Sequence, residues 1–507
     1  MKIQVFGVVA VAGMALTSAI VWSSTSVEPR AKKAQLAPAS NPSLPAPLPI
    51  ASPPAEQPEN VQPVVDRSTF TAGKTLMMEG RLGHAVVPAA TDSETYVFVD
   101  VRADASKVAT STAPLELAIV IDRSGSMRGK RLRNAVDAAK TAIGRLRDGD
   151  IVSVLAYNTR TDVVVPATVI DAGSRTGILR RMKGLRAKGD TCISCAVETG
   201  MRMLGRSPNR VSRLLLLSDG EATRGIKDVE GFGAIADRCR TQGVSITSIG
   251  VDLDYNERIM AALARRSNGR HYFVESAAHL ADIFTKEMQS LEKTVAANVE
   301  MNVTLAPGVF LDHVYDRTFR RTGTGIAVPM GIFAAGDAKT LLMRVRVPRG
   351  QDGDRAVAEV DLAYTDLVEN QPGHCDGALI AQATSDPSKV SPLDGLVSMR
   401  ISRSETAEAL QQANLLFNSG RGDEARGLLS EKREQLKWRR KASKKAAPRK
   451  RASALDLDFE AQGAALDDAA NAFKSASKSA GSGGASRTRK GRKQVRANQA
   501  AAVDLFE

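Results

Sequence analysis

The stretch "LELAIVIDRSGSM", Leu115 to Met127, decides the fold. Seven largely apolar residues run into Asp122, and hydroxyls follow at Ser124 and Ser126. An apolar strand without polar alternation is covered on both faces, and such strands belong to parallel sheets sandwiched by helices. In sheets of that kind ligands bind outside the carboxyl ends of the strands, near the point where the strand order reverses. Asp122 therefore ends a central strand and begins a candidate site.

Working outward, an amphipathic run from Lys130 to Leu146 leads to "DIVSVLAYN" (Asp150 to Asn158). Then come "VSRLLLLSDG" (Val211 to Gly220), a helix around Phe232 to Gln242 and "VSITSIGVD" (Val244 to Asp252). A helix from Asn256 to Ser267, "RHYFVE" (Arg270 to Glu275) and a closing helix from Ala277 to about Thr294 complete the series. This alternation predicts a doubly wound, mostly parallel sheet. Asp219 ends the second of the long apolar strands. Between them "GDTCISC" (Gly189 to Cys195) puts the hydroxyl of Thr191 on a loop that enters a helix.

Two carboxylates and three hydroxyls at one sheet edge suit either a nucleophile site or a metal site. A serine hydrolase needs a base beside its Ser. None of the five histidines, His84, His271, His279, His313 and His374, follows an acid or nucleophile-elbow pattern. A phosphotransferase with a strand-end Asp nucleophile wants a carboxylate two residues on, where Ser124 stands. Neither G-x-x-x-x-G-K-[ST] nor G-x-G-x-x-G is present to hold phosphates. The metal reading survives, because oxygen donors of which few are charged suit hard Mg²⁺, or Mn²⁺ in the same cage. An enzyme is not expected.

D-x-S-x-S at Asp122 to Ser126, Thr191 in its "GDT" loop and "LSDG" at Ser218 to Gly220 together resemble the metal-ion-dependent adhesion site of von Willebrand factor type A domains. "GVDLDYNERIMAALA" (Gly250 to Ala264) is similar to bacterial members akin to inter-alpha-trypsin inhibitor heavy chains. The resemblance covers roughly Leu115 to Thr294 and departs from the usual pattern at Cys192, where a small or polar residue normally follows the Thr. It implies an α/β, Rossmann-like fold and a metal held by Asp122, Ser124, Ser126, Thr191 and Asp219. The three hydroxyls would touch the metal, and the two carboxylates would hold it partly through water. Such a cage keeps an open position that an acidic side chain of a partner protein completes, and a solvent-facing cage contributes little to the core. Arg123, Arg128, Lys130, Arg131, Lys188 and Arg224 lie within a few positions of the motif. They form either a positive rim that attracts an acidic partner or ordinary solvated charge.

The flanks divide the 507 residues further. Residues 1–25 contain "VFGVVAVAGMALTSAIVW" (Val5 to Trp22), which suits a signal peptide or a membrane anchor and implies export to the periplasm, membrane or cell surface. Residues 26–65 form a Pro/Ala-rich linker. Strand patterns in 66–113 are too few for a sheet of their own and are expected to pair with antiparallel strands in 296–395. The α/β domain, 114–295, would then be inserted in or flanked by one β-sandwich. Residues 400–440 read as a helical hairpin broken at Ser419-Gly420.

Aromatic residues make up 4% of the chain, with Ala, Gly and Arg frequent, a mix that reads as bacterial. The formal net charge is +14, and Glu431 to Glu507 carries 19 Lys/Arg against 9 Asp/Glu, so ten of those excess charges lie there. Residues 441–507 read as a mostly disordered, basic, low-complexity tail able to meet an anionic surface polymer or lipid head groups. Nucleic-acid binding is weakly supported without aromatic residues to stack on bases. The tripeptide Arg421-Gly422-Asp423 is explained by turn chemistry. Cys192, Cys195, Cys239 and Cys375 permit bridges in an exported chain. A bridge holding the Thr191 loop is preferred, with a redox pair or a zinc site as alternatives. Two function classes follow: a metal-dependent protein-binding module at the cell envelope, or an accessory subunit of an enzyme, chaperone or insertase complex.

Overall fold

The computed structural model describes residues 66–107, 114–205, 210–252, 255–446, 452–478 and 488–506. The apolar segment Val5 to Trp22 and the Pro/Ala-rich linker lie outside them. Four strands come first: β1 (Thr69–Gly73), β2 (Leu76–Leu82), β3 (Val86–Pro88) and β4 (Ser93–Ala103). The α/β unit runs β5 (Leu115–Asp122), α1 (Lys130–Arg145), β6 (Ile151–Tyr157), β7 (Thr161–Val169), α2 (Ser174–Arg181), α3 (Ile193–Arg202) and β8 (Val211–Ser218). It continues through α4 (Val229–Thr241), β9 (Val244–Val251), α5 (Glu257–Arg266), β10 (His271–Val274) and α6 (Leu280–Glu292).

Its sheet has the order β10-β9-β8-β5-β6-β7, parallel except for the edge strand β7. Every residue of β5, β8 and β9 is buried. The side-chain period of two then feeds two separate cores. Leu117, Ile119 and Ile121 face α1 and α6 with Phe284, while Ala118 and Val120 face α3 and α4 with Phe232. β7 had no counterpart in the sequence reading, because its residues are half exposed and Pro166 interrupts the run. Proline is tolerated there because an edge strand leaves N–H groups unpaired. From β5 the chain passes to β6 on one side and later returns to β8 on the other. The strand order therefore reverses between the strands that end in Asp122 and Ser218, just before Asp219.

The later strands are β11 (Thr294–Leu305), β12 (Phe310–Tyr315), β13 (Arg320–Thr322), β14 (Gly325–Ala334), β15 (Ala338–Val347), β16 (Gly353–Asp366) and β17 (Gln371–Thr384). They share two sheets with the first four, in the orders β1-β2-β4-β15-β12 and β13-β14-β11-β16-β17-β3. β4 pairs with β15 along ten positions, from Ser93 opposite Val347 to Arg102 opposite Ala338. The α/β unit is thus inserted between strands of one sandwich. Met78, Val99 and Val101 from one sheet meet Met301, Phe333 and Leu362 from the other in its core.

Four helices close the described chain: α7 (Gly395–Asn418), α8 (Gly422–Ala446), α9 (Ala452–Lys478) and α10 (Arg489–Phe506). The last two correct the expectation of a disordered tail. Phe459, Leu466 and Phe473 share one helical face and are buried with Phe417 and Leu429, and Leu455 on the same face is also buried. Apolar side chains at helical spacing build a core even where the composition averages to polar. Phe417 and Phe473 stack at 4.0 Å, and Asn414 donates to the Val495 carbonyl at 3.0 Å. Basic residues of α10 are also engaged: Lys493 pairs with Glu275 at 2.9 Å, and Arg496 pairs with Glu257 and lies 4.8 Å from the Tyr255 ring. No helix among the described residues is long and apolar enough to cross a membrane.

Arg400 fastens this bundle to the sandwich. It is 1% exposed, pairs with Asp316 at 3.1 Å and donates to Thr340 Oγ1 at 2.8 Å. Its burial pulls the guanidinium pKa down to about 10, against the opposing pull of Asp316. Breaking a buried pair strands the partner charge, which costs about 3–5 kcal/mol. Urea denaturation of Arg400→Ala is expected to show that loss, and Arg400→Met with Asp316→Asn to recover most of it.

Candidate functional site

The two strand ends at the reversal point place their carboxylates side by side. Asp122 is fully buried. Its Oδ1 accepts the Ser124 N–H at 2.7 Å, while its Oδ2 accepts the Ser218 hydroxyl at 2.9 Å and the Tyr157 hydroxyl at 3.2 Å. Tyr157 stands opposite Asp122 in the β5–β6 register, and its hydroxyl also reaches the Leu217 carbonyl at 3.1 Å. The cage is therefore not solvent-facing at Asp122, contrary to the sequence reading, because strand packing covers that carboxylate before any ligand arrives.

The hydroxyls form the outer part. Ser126 Oγ donates to Asp219 Oδ1 at 2.7 Å and lies 3.1 Å from Ser124 Oγ. A Cβ on Gly220 would stand 3.7 Å from Ser126 Oγ and 3.9 Å from Thr191 Oγ1, so the missing side chain at Gly220 leaves open space shared by both hydroxyls. Ser124 and Thr191 are buried, whereas Ser126 is exposed. All five residues singled out in the sequence come together. Among the described residues no cluster of three or more His, Cys, Asp or Glu side chains has metal-holding geometry. This pocket instead combines two carboxylates with three neutral oxygens, a donor set that suits a hard divalent cation.

Backbone hydrogen bonds tie three loops into one frame. Gly125 N–H donates to the Gly189 carbonyl at 3.0 Å and Lys188 N–H to the Arg123 carbonyl at 2.8 Å. The Thr191 carbonyl accepts from Thr223 and Arg224 N–H at 3.0 and 3.1 Å. Gly189 has φ 79°, and a Cβ there would stand 2.8 Å from Thr159 Oγ1, so the turn requires glycine. Immediately after Thr191 a disulfide joins Cys192 to Cys195 across the first turn of α3. Cys239 lies in the core under α4 and Cys375 in the sandwich, both free and buried, so the four sulfurs do not assemble a zinc site.

Electrostatics set the resting state. Burial raises the Asp122 carboxyl to about 6, although the Ser124 hydrogen bonds pull it down. Asp219 is raised as well, by burial, with Ser126 and Arg131 opposing. Arg131 is one of the six basic residues beside the motif. Its Nη1 lies 3.2 Å from Asp219 Oδ2, and its other nitrogen pairs with Asp252. Arg123 pairs with Asp162 and Arg224 with Asp190, so half of the six basic residues are matched within the chain. Arg128, Lys130 and Lys188 are exposed. Sequence reasoning missed Tyr157, Ser218 and Arg131 as supports, although Tyr157 and Ser218 end the strands flanking Asp122.

None of the five histidines serves these hydroxyls. His271 bonds Ser248 and Tyr255, His374 pairs with Asp361, and His84 contacts Thr95. His279 lies before α6 and His313 on β12.

An open parallel sheet with this constellation at its reversal point defines a class, and the sequence agrees: residues 116–286 match the von Willebrand factor type A domain, so the inserted unit is a domain of that family. An uncharacterised protein of Synechocystis sp. is 25% identical over 270 residues, 51% of this chain and 63% of that protein. Inter-alpha-trypsin inhibitor heavy chain H2 of Sus scrofa is 25% identical over 201 residues, 37% of this chain and 21% of that one. The chain thus spans less than two thirds of the length of these curated relatives. A solved von Willebrand factor type A protein from Catenulispora acidiphila superposes with TM-score 0.62 at 18% identity, over 80% of this chain and 91% of that one. The shared fold therefore extends beyond the type A domain.

The cysteine arrangement is directly testable. Alkylation of the unfolded, unreduced protein followed by mass spectrometry is expected to label Cys239 and Cys375 only, and reduction to add Cys192 and Cys195.

Proposed function

We propose that the protein is a metal-dependent protein-binding module of the cell envelope, not an enzyme. The observation that carries this reading is the convergence of Asp122, Ser124, Ser126, Thr191 and Asp219 on the space beside Gly220. Those residues would hold Mg²⁺ or Mn²⁺, and the bound ion would supply a Lewis-acidic position for a carboxylate of an acidic partner. Ser124 and Ser126 offer neutral oxygens, which leave the ion much of its charge. Asp122, held by Tyr157 and Ser218, anchors the inner side. Neither serine has a histidine to take its proton, which supports binding over hydrolysis. Arg128, Lys130 and Lys188 are the rim charges placed to steer an acidic surface. Envelope location rests on Val5 to Trp22 and on the proline-rich residues that follow.

Ser126→Ala with Thr191→Ala removes two neutral donors and is expected to weaken Mn²⁺ binding at least about tenfold in isothermal titration. Unchanged affinity would overturn the metal reading. Pull-downs with and without chelator then test capture of a partner.

Protons compete for Asp122. Its metal-free carboxyl titrates near 6, above its unfolded value, so this group favours the folded metal-free state at low pH and ceases to do so as pH rises through about 6. Metal needs the ionised form, so apparent affinity is expected to fall about tenfold per pH unit below that point. Differential scanning fluorimetry should show a larger Mn²⁺-induced rise in Tm at pH 7.5 than at pH 5.

A further inference from the structure

Beside the carboxyl-edge pocket a groove of about 500 Å³ runs along α1. One wall is the stretch from Arg128 to Lys140, which follows directly on the Ser126 loop. The other is Met182 to Ala187, the segment that leads from α2 toward the Gly189–Thr191 turn. The floor is apolar. Leu132 and Val136, one helical turn apart, meet Met182 and Leu185 there. Leu132, Val136 and Met182 also belong to the core under α1, which fixes the floor in place, while Leu185 is partly exposed.

Charge on the two walls has one sign. Arg128 and Arg133 on the first wall, and Lys183 and Arg186 on the second, are exposed and have no acidic partner among the described residues. The one carboxylate in the lining, Asp137, is already paired with Lys140 at 2.8 Å. Four positive charges therefore flank the apolar floor unneutralised. The chain itself accounts for this: neither Arg123 to Val136 nor Ala172 to Gly189 contains an acidic residue. Elsewhere at this edge the protein supplies the acids, Asp162 for Arg123 and Asp190 for Arg224. Along the groove it supplies none. The first turn of α1 also lacks an acidic residue and a side-chain cap, so a carboxylate arriving there gains from the helix dipole.

We infer that this groove binds a segment of a partner protein in which carboxylates alternate with apolar side chains. The apolar side chains rest on Leu132, Val136 and Leu185, and the carboxylates reach the cations of the two walls. A purely ionic polymer would satisfy those cations but leave the apolar floor uncovered, whereas an interface joins an apolar centre to a polar rim. The inference rests on the protein-binding reading above and extends the partner's contact from one metal-bound carboxylate to a segment. The groove's own contacts do not require the ion.

Fluorescence anisotropy of the full chain in EDTA, with a labelled twelve-residue peptide of alternating Leu and Glu as probe, is expected to show saturable binding. A Ser–Glu peptide of equal length and charge is expected to bind about tenfold more weakly or worse, because it buries no apolar surface. Arg133→Glu with Arg186→Glu is expected to weaken the Leu–Glu peptide about tenfold, mainly through slower association. Lys74→Glu with Lys474→Glu makes the same charge change at exposed sites elsewhere and is expected to leave binding unchanged. A benzophenone-bearing Leu–Glu peptide is expected to crosslink within 128–140 or 182–187. Equal affinity for the two peptides, equal losses in the two double variants, crosslinks only outside those segments, or an oligothymidylate that binds the groove more tightly than the peptide would each overturn the inference. Should the groove variant fail to fold by circular dichroism, Lys183→Gln and the crosslinks decide. With EDTA present throughout, failure of the groove leaves the Mn²⁺ titration untouched, and failure of the metal site leaves the anisotropy untouched.

Discussion

Burial of one carboxylate organises the type A domain. Asp122 ends the central strand with no solvent contact, and its oxygens accept hydrogen bonds from Ser124 N–H, Ser218 and Tyr157. A buried carboxylate without such donors would be strongly unfavourable. With them it stays tolerable, though burial still raises its carboxyl to about 6. Each donor belongs to a different part of the sheet edge: the loop after β5, the end of β8 and the end of β6. Satisfying Asp122 therefore sets the relative positions of three strand ends, and the outer hydroxyls inherit their places from that arrangement.

The surrounding architecture keeps this edge rigid. Cross-loop backbone bonds join the 123–125, 188–191 and 223–224 segments, and the Cys192–Cys195 bridge closes the turn that carries Thr191. A sandwich built from both ends of the insertion holds the sheet's other edge, and Arg400 anchors the helical bundle to that sandwich. α10 then returns to the type A domain at Tyr255 and Glu275. Asp252, just before that contact, pairs with Arg131, which also reaches Asp219.

Much of this was legible in the sequence for simple reasons. β5, β8 and β9 lie between two helical layers, so every residue in them is buried and the runs stand out as continuous apolar segments. The five pocket residues could be read because strand-end position and side-chain chemistry are both local properties. Edge elements were harder: β7 is half exposed and carries Pro166, and the short β13 carries no apolar run. In the tail, the signal lay in the spacing of Leu455, Phe459, Leu466 and Phe473, while its mean composition suggested a solvated chain.

The fold of the inserted domain, and the gathering of two carboxylates and three hydroxyls at its carboxyl edge, can be read from the chain alone, because buried strands and strand-end loops write their demands into adjacent residues. Only the tertiary structure decided which charges are available. Arg123, Arg131 and Arg224 look equivalent to Arg128, Lys130 and Lys188 along the chain, yet the first three are matched to acids between 34 and 121 residues away. Coulomb interactions depend on distance through space, and a sequence records only distance along the chain.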